Sequence, residues 1–336
     1  MKKNYIKATM GVLFSAILIA LMLGGCNRKT EKMGTEGNIA SDRVIITETG
    51  EVIEKEEPVP TANAIPEDIL AKTEIPEEQL EEPMKNQETQ DGKMQIVFLG
   101  DSIFAETGDG TDIPRRTAAL CNANGYNLAI GGTTAAVADK HASLEWDKWT
   151  SVSLVGLVHA IVGNISTDVF EGYSAKEILD NPNVDFSKTD YFVIEYGIND
   201  FLSAVPMSDS SQELDLRSYV GALRYAVLTL KGYAPDATII LCSPTYARFF
   251  DGDWMIGDGN SINNGYGTLY EYKDTCEYVA KEYQVVFYNA YEYLGIDGYT
   301  ADEYLEDGIH LTDKGRQRYA DALTKLILET EETKNN

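Results

Sequence analysis

Short apolar runs recur along the later part of the chain, and most of them end at small or polar residues. The runs are four to six residues long and rich in Val, Ile, Phe and Tyr. This pattern is typical of strands that are buried on both faces of a parallel sheet. We predict five such strands, at residues 95–99, 126–130, 191–196, 238–242 and 285–288.

Amphipathic segments lie between these runs. Apolar residues spaced three and four apart predict helices at 216–231, 269–283 and 312–328, with Thr312 as the N-cap of the last one. The alternation of strands and helices predicts an α/β fold with a mainly parallel sheet. The long stretch 135–189 contains one apolar piece, and we expect it to form a helical elaboration over a site at the strand ends.

The first 26 residues have the pattern of an export signal. Three lysines among the first seven residues precede an apolar stretch, Met10 to Leu23, that is too short for a comfortable membrane span. We interpret residues 1–25 as a signal peptide; the alternative is an uncleaved signal anchor. The ending Leu-Gly-Gly-Cys resembles a bacterial lipobox, which implies that Cys26 is lipidated. We therefore expect a lipid-anchored protein of the bacterial cell membrane that faces outside the cytoplasm.

Residues 26–93 differ in composition from the later part of the chain. They hold five of the ten prolines, and the part from Asn27 to Lys93 has 17 acidic and 8 basic residues. Such a segment cannot bury enough apolar surface to offset its ordering entropy, so we expect a disordered acidic tether. The folded domain is predicted at 94–330, and residues 331–336 as a frayed tail.

The charge of the whole chain restricts its partners. The chain has 54 acidic and 28 basic residues, a net charge of −26. This charge repels phosphate backbones, so we expect no nucleic-acid partner, and it disfavours anionic lipid head groups more weakly. The sequence does not indicate any particular protein partner.

No cofactor or metal is expected. Cys121, Cys242 and Cys276 have neither the spacing of a zinc site nor that of a disulfide framework. Two acidic motifs, Asp251 to Asp253 and Asp258 to Asn260, do not match a calcium-binding loop, and we interpret them as turns.

The strand ends carry the candidate chemistry. In open α/β sheets, ligands bind beyond the carboxyl ends of the strands. A serine (Ser102), a glycine pair and an asparagine (Asn199) stand at three of these ends, and His310 precedes the last helix. A serine becomes a good nucleophile when a base takes its proton and a carboxylate orients that base. Asp307 is close enough in sequence to fold back onto His310.

These residues fall in four ordered blocks. They are Gly100-Asp101-Ser102, the block from Asn127 through Gly132 to Thr134, Gly197-x-Asn199-Asp200, and Asp307-x-x-His310. In this order the blocks resemble those of the SGNH/GDSL hydrolases over residues 94–328. The resemblance implies a three-layer α/β/α sandwich of flavodoxin-like type around a five-stranded sheet. One departure is Ala129, where many members have glycine, and we expect it to be tolerated.

The resemblance also implies a role for each matched residue. Ser102 is expected as the nucleophile and, through its N–H, as an oxyanion donor. The other expected roles are Gly132 N–H and the Asn199 side-chain amide as further oxyanion donors, His310 as general base and acid, and Asp307 as its orienting carboxylate. Gly131 is the competing candidate for the glycine donor.

From this resemblance we expect a serine ester hydrolase that works through an acyl-enzyme. The expected substrate is an acyl ester, such as an acetyl ester, on an extracellular glycan, and the aromatic-rich segment 246–304 suits sugar rings. The alternatives are an acyl-lipid hydrolase of lysophospholipase or thioesterase type, and acyl transfer to a sugar. A different class, a catalytically inactive glycan-binding lipoprotein, is opposed by the intact Ser102, His310 and Asp307 set.

Overall fold

The computed structural model describes residues 92–209 and 211–334. The predicted signal peptide, the lipidation site Cys26 and almost all of the predicted tether lie outside the described residues. Between residues 92 and 334, no described helix is long and apolar enough to cross a membrane.

A sheet of five parallel strands forms the centre of the described part. The strands are β1 (Gln95–Gly100), β2 (Asn124–Asn127), β3 (Tyr191–Glu195), β4 (Thr238–Cys242) and β7 (Val286–Tyr288). Their order is β2-β1-β3-β4-β7, and every neighbouring pair is parallel. All residues of β1 and β3 are buried, as strands covered on both faces require. The predicted parallel sheet is therefore confirmed.

The second strand lies earlier than its apolar run indicates. The chain pairs with β1 already at Asn124, whose N–H donates to Met94 O (2.8 Å). In the apolar residues that follow, Leu128 and Ile130 still donate their N–H groups to β1 but lie past the end of the strand. Asn and Gly have low strand preference, which is why the hydrophobic pattern places the strand too late.

Nine α-helices lie between and after the strands in the part of the chain that the structure describes. They are α1 (Ile113–Leu120), α2 (Leu154–Ile161), α3 (Ser174–Leu179), α4 (Ile198–Leu202), α5 (Tyr219–Tyr233), α6 (Leu269–Tyr283), α7 (Ala290–Tyr293), α8 (Ala301–Tyr304) and α9 (Asp313–Lys334). One group, α1 and α9, packs together, while α5 packs against both α2 and α6. With the buried sheet between the two groups, the architecture is the expected three-layer α/β/α sandwich.

The long helices begin at identifiable caps. α6 has the predicted bounds and starts with a capping box between Thr268 and Glu271. The predicted N-cap of α9 is confirmed, since Thr312 Oγ1 accepts from Gly315 N (3.2 Å). α9 runs to Lys334, so the frayed tail predicted from residue 331 is wrong there. Tyr191 donates to Glu331 (2.6 Å) and so fixes the last turns of this helix.

The apolar piece of the segment 135–189 belongs to the core and does not cover the site. Its apolar piece is α2, which is buried along its whole length and packs against β1 and α5 as part of a helical layer. His159 lies in this layer with its ring 4.5 Å from that of Trp149, and burial lowers its pKa to about 4. The apolar residues of α2 are therefore core residues, not a lid.

A two-stranded antiparallel hairpin stands apart from the sheet and has no counterpart in the predicted elements. Its strands are β5 (Arg248–Asp251) and β6 (Trp254–Asp258). The two acidic motifs are turns, as predicted: one closes this hairpin, and in the other Asp258 accepts from Asn260 N and Ser261 N. Cys121, Cys242 and Cys276 are free thiols.

Candidate active site

Ser102 stands in a tight turn at the carboxyl end of β1. Asp101 shapes this turn, because its Oδ1 accepts from Ile103 N (3.0 Å) and its carbonyl oxygen accepts from Ala105 N (2.9 Å). The block that begins at Asn127 is bound to the same turn, because Asn127 Nδ2 donates to Phe104 O (2.8 Å). The serine is thereby held at the edge of the sheet where ligands bind in this class of fold.

His310 and Asp307 meet this serine from the other end of the chain. His310 Nε2 lies 2.9 Å from Ser102 Oγ, although the two residues are 208 positions apart. His310 Nδ1 lies 2.7 Å from Asp307 Oδ2. The structure therefore brings together the three residues expected to form the catalytic set, with nucleophile, base and carboxylate in hydrogen-bond contact.

A tight loop aims the carboxylate at the imidazole. Asp307 Oδ1 accepts from the N–H groups of Ile309 (3.0 Å) and His310 (2.8 Å), so its other oxygen points to the ring. Gly308 between them has a φ of +94°, and a Cβ there would lie 2.5 Å from Arg248 O. Only glycine fits this position, because both the backbone conformation and the space exclude a side chain.

The electrostatics of this pair fix the proton positions. The hydrogen bond from His310 holds the pKa of Asp307 well below its usual range, and the same bond raises the pKa of His310. Asp307 is therefore ionised and accepts the Nδ1 proton. That tautomer leaves Nε2 free to accept the proton of the Ser102 hydroxyl.

The glycine pair faces the serine from the neighbouring strand end. Gly131 lies closest, since a Cβ built on it would be 3.7 Å from Ser102 Cβ. Gly132 has a φ of +79°, and a bond from Thr133 N to Ile130 O (3.3 Å) closes the turn. Ala129 is buried and donates its N–H to Asn127 Oδ1 (3.0 Å), a bond that needs no glycine. The backbone of the glycine pair therefore lies where an oxyanion donor is expected.

Asn199 stands on the opposite side, at the start of α4. One hydrogen of its Nδ2 group goes to Asp101 Oδ2 (3.1 Å), which fixes the plane of the amide. An amide nitrogen carries two hydrogens, so one remains for a developing oxyanion. This hydrogen leaves Asn199 able to serve as the oxyanion donor that the sequence predicts.

Asp200 has a structural role that the sequence analysis did not assign. Its carboxylate accepts from Ala135 N (2.8 Å) and Ala136 N (3.1 Å), the residues that follow the glycine block. Asp200 is fully buried, and burial raises its pKa to about 7. Its side chain thus ties the asparagine block to the glycine block. The sequence signal for this role was the position of Asp200 directly after Asn199.

Glu195 is the second residue that the sequence analysis missed. It ends β3, lies opposite Gly100 in the register of the sheet, and is fully buried. Burial and the neighbouring Asp101 raise the pKa of Glu195 well above its usual range, while burial raises that of Asp101 to about 6. Glu195 therefore keeps its proton, which it can donate to Asp101, since a second buried carboxylate charge would be untenable. The signal was a glutamate within an otherwise apolar strand.

Within the described ranges, no group of three or more His, Cys, Asp or Glu side chains is placed to hold a metal ion. The chemistry available at this site is that of a hydroxyl, an imidazole, a carboxylate and amide donors. Such a set can carry out acyl transfer through the serine.

Comparisons with known proteins agree with this geometry. The GDSL-like lipase/acylhydrolase family matches residues 98–318. One solved structure is 20% identical, covers 69% of this chain and 95% of its own, and has a TM-score of 0.52, which shows the fold. No curated protein sequence matches the chain.

Two further solved structures are similar at a lower level. A protein from Lactobacillus plantarum is 18% identical, with coverage of 70% of this chain and 97% of its own and a TM-score of 0.49. A carbohydrate acetylesterase from Sinorhizobium meliloti is 15% identical, with coverage of 71% and 100% and a TM-score of 0.43. With its family match across two thirds of the sequence, the chain belongs to the GDSL-like lipase/acylhydrolase family and is a hydrolase of ester bonds.

Proposed function

We propose that Ser102 is the nucleophile of a two-step ester hydrolysis. The Ser102 hydroxyl gives its proton to His310 Nε2 while Oγ attacks the ester carbonyl. The resulting oxyanion accepts hydrogen bonds from the N–H groups of Ser102 and Gly132 and from Asn199 Nδ2. His310 then protonates the leaving alcohol, and a water molecule, deprotonated by His310, releases the acid from the serine.

One observation supports this assignment above the others. The hydrogen bonds from Ser102 through His310 to Asp307, at 2.9 and 2.7 Å, connect residues from opposite ends of the domain. A structural role for each residue alone would not require this alignment. A catalytically inactive glycan-binding protein has no need for it either.

We propose a short acyl ester, such as an acetyl ester, on an extracellular glycan as the substrate. The reacting groups lie at the surface, with 42% of the His310 side chain and 57% of the Asp307 side chain exposed. An open site suits a small acyl group on a bulky alcohol, whereas a long acyl chain needs an enclosed apolar channel. The acidic chain disfavours anionic lipid head groups.

The substrate assignment is tested with chromogenic esters of increasing acyl length, hydrolysed by the full chain and by its Ser102→Ala variant. We expect fastest turnover of acetyl esters and loss of activity in the variant. Equal rates for the two proteins would contradict the role of Ser102. A strong preference for long chains would favour the acyl-lipid alternative, and acetyl transfer to an added sugar exceeding acetate release would favour an acyltransferase.

We also propose that the protein is an extracytoplasmic lipoprotein anchored through Cys26. The lysine-rich start, the short apolar stretch and the Leu-Gly-Gly-Cys ending support this. In a bacterial host given an alkyne fatty acid, the wild-type chain should take up the label and sediment with membranes. The Cys26→Ser variant should do neither, and equal labelling of both chains would contradict the anchor.

A further inference from the structure

The base of the hairpin β5–β6 contacts two parts of the active site. Phe249 stacks on Phe201 of α4, with ring centres 5.3 Å apart, two residues after the oxyanion donor Asn199. On the other side, Arg248 N donates to Gly308 O (2.7 Å), and the ring of Phe250 packs against Gly308. The base of the hairpin therefore contacts both the α4 region and the loop that carries Asp307 and His310.

The outer end of this hairpin is apolar and exposed. Trp254 is 81% exposed, and Met255 and Ile256 beside it are exposed as well. A second exposed aromatic residue, Tyr299 (97% exposed), follows Gly298, which lies against the Tyr246 hydroxyl; that hydroxyl donates to Asp258 at the end of β6. We name Trp254, Met255, Ile256 and Tyr299 the aromatic rim. Exposed apolar surface of this kind marks a contact with a ligand or partner.

The charge around the rim selects among ligands. From Arg248 to Asp258 the hairpin contains three aspartates and one basic residue, Arg248, which is paired with Asp302. Phosphate head groups and acidic polymers are repelled by such a surface. A neutral sugar chain is not: its C–H faces stack on aromatic rings, and its hydroxyl groups donate to carboxylates.

We propose that the aromatic rim binds the neutral glycan that carries the ester and holds the acyl group at Ser102. This inference rests on the proposed glycan substrate and adds where that substrate binds. In this arrangement Trp254 and Tyr299 act on the alcohol part of the substrate, while the acyl group meets the serine and the oxyanion donors. The rim therefore sets specificity for polymeric substrates.

The test compares two substrates in the full-length protein. One is p-nitrophenyl acetate, and the other is a panel of neutral O-acetylated glycans (xylan, glucomannan and cello-oligosaccharides). Trp254→Ala and Tyr299→Ala should each lower kcat/KM for the glycans about tenfold relative to p-nitrophenyl acetate, mainly through KM. The matched control is Tyr278→Ala, 54% exposed on α6 beside Arg224, which should not change this ratio.

The possible outcomes distinguish failure of the rim proposal from failure of the proposed glycan substrate. An unchanged ratio in both rim variants, with wild-type activity on the glycans, overturns the rim but leaves the proposed function intact. Wild-type hydrolysis of p-nitrophenyl acetate with no acetate released from any glycan overturns both. Binding to phosphatidylcholine vesicles that is lost in Trp254→Ala, with an unchanged glycan ratio, assigns the rim to a lipid surface instead.

Discussion

Carboxyl groups surround Ser102 in two opposite environments. Asp307 lies at the surface and accepts three N–H groups, so its charge is stabilised. Asp101, Glu195 and Asp200 lie below the serine and are fully buried. The pKa of Asp307 is lowered by its hydrogen bond with His310, whereas burial raises the pKa of each member of the buried group.

The difference shows how one residue type serves two purposes. At the surface, the charge of Asp307 orients the imidazole and stabilises it when it takes the serine proton. In the interior, Asp101 accepts from the amide of Asn199 and so fixes it, and Asp200 holds the loop after the glycine pair. Oxyanion donors are effective when they are oriented before the reaction begins. The buried carboxyl groups hold the donors in that orientation.

Removing the charge of Asp307 should have the largest effect. In Asp307→Asn the side chain presents an N–H to the imidazole, so Nε2 carries the proton and cannot accept that of Ser102. We expect kcat to fall by about 10³- to 10⁴-fold while the melting temperature stays close to wild type. Steady-state kinetics on an acetyl ester and a thermal melt check this. A loss below tenfold would mean that Asp307 does not set the tautomer.

Asp200→Asn should act through geometry. The amide has one acceptor oxygen where the carboxylate has two, so either Ala135 N or Ala136 N loses its partner. We expect the free energy of unfolding to fall by about 1–3 kcal/mol and kcat to fall more than KM changes. Urea unfolding and kinetics measure both. The exposed Asp209→Asn serves as control, and equal behaviour of the two variants would contradict the linking role of Asp200.

Glu195→Gln tests whether this carboxyl is protonated. Glutamine still donates to Asp101 but has no proton to lose, so activity should stay within about threefold of wild type. Because the folded pKa of Glu195 is raised, wild type loses stability as pH rises above about 4.3, the unfolded value, and glutamine does not. Glu195→Gln should therefore have a higher melting temperature than wild type at pH 8 and a similar melting temperature near pH 4.

A stability difference that is the same at both pH values would show that Glu195 does not hold a proton. Glu195→Leu gives a second measurement, since it removes the donor to Asp101 and leaves Asn199 less firmly held. We expect kcat to fall in Glu195→Leu but not in Glu195→Gln. Equal kcat values in the two variants would show that Glu195 does not help to position the oxyanion donor Asn199.

The smallest expected effect is on the pH profile. His310 must be neutral to accept the serine proton, and its hydrogen bond with Asp307 raises its pKa. The acid limb of kcat/KM should therefore lie above about 6.5, the ordinary histidine value, and should move to lower pH in Asp307→Asn. An acid limb that stays in place in the variant would assign it to another group.

Much of the fold and the site could be predicted from the sequence. The blocks around Ser102, Asn199 and His310 stand at strand ends or before a helix, where local pattern fixes their place. The five strands follow from apolar runs, and only β2 is displaced, because its Asn and Gly residues pair without an apolar signal. The apolar piece of 135–189 proved to be a core helix, because the sequence of an apolar segment does not specify what it packs against.

The buried group and the hairpin depend on tertiary contacts. Glu195 and Asp101 lie far apart in the sequence and meet only through the β1–β3 register. The hairpin strands Arg248–Asp251 and Trp254–Asp258 lack the alternating pattern, since their tip is apolar and exposed. Neither arrangement has a local sequence signal strong enough to predict it.

The most direct test of the central claim is covalent trapping of the nucleophile. The full-length protein is treated with a fluorophosphonate, and the adduct is located by peptide mass spectrometry. We predict one labelled residue, Ser102, with no labelling in Ser102→Ala and slow labelling in His310→Ala, because the serine then lacks its base. Labelling of a different serine, or esterase activity that survives in Ser102→Ala, would contradict the account.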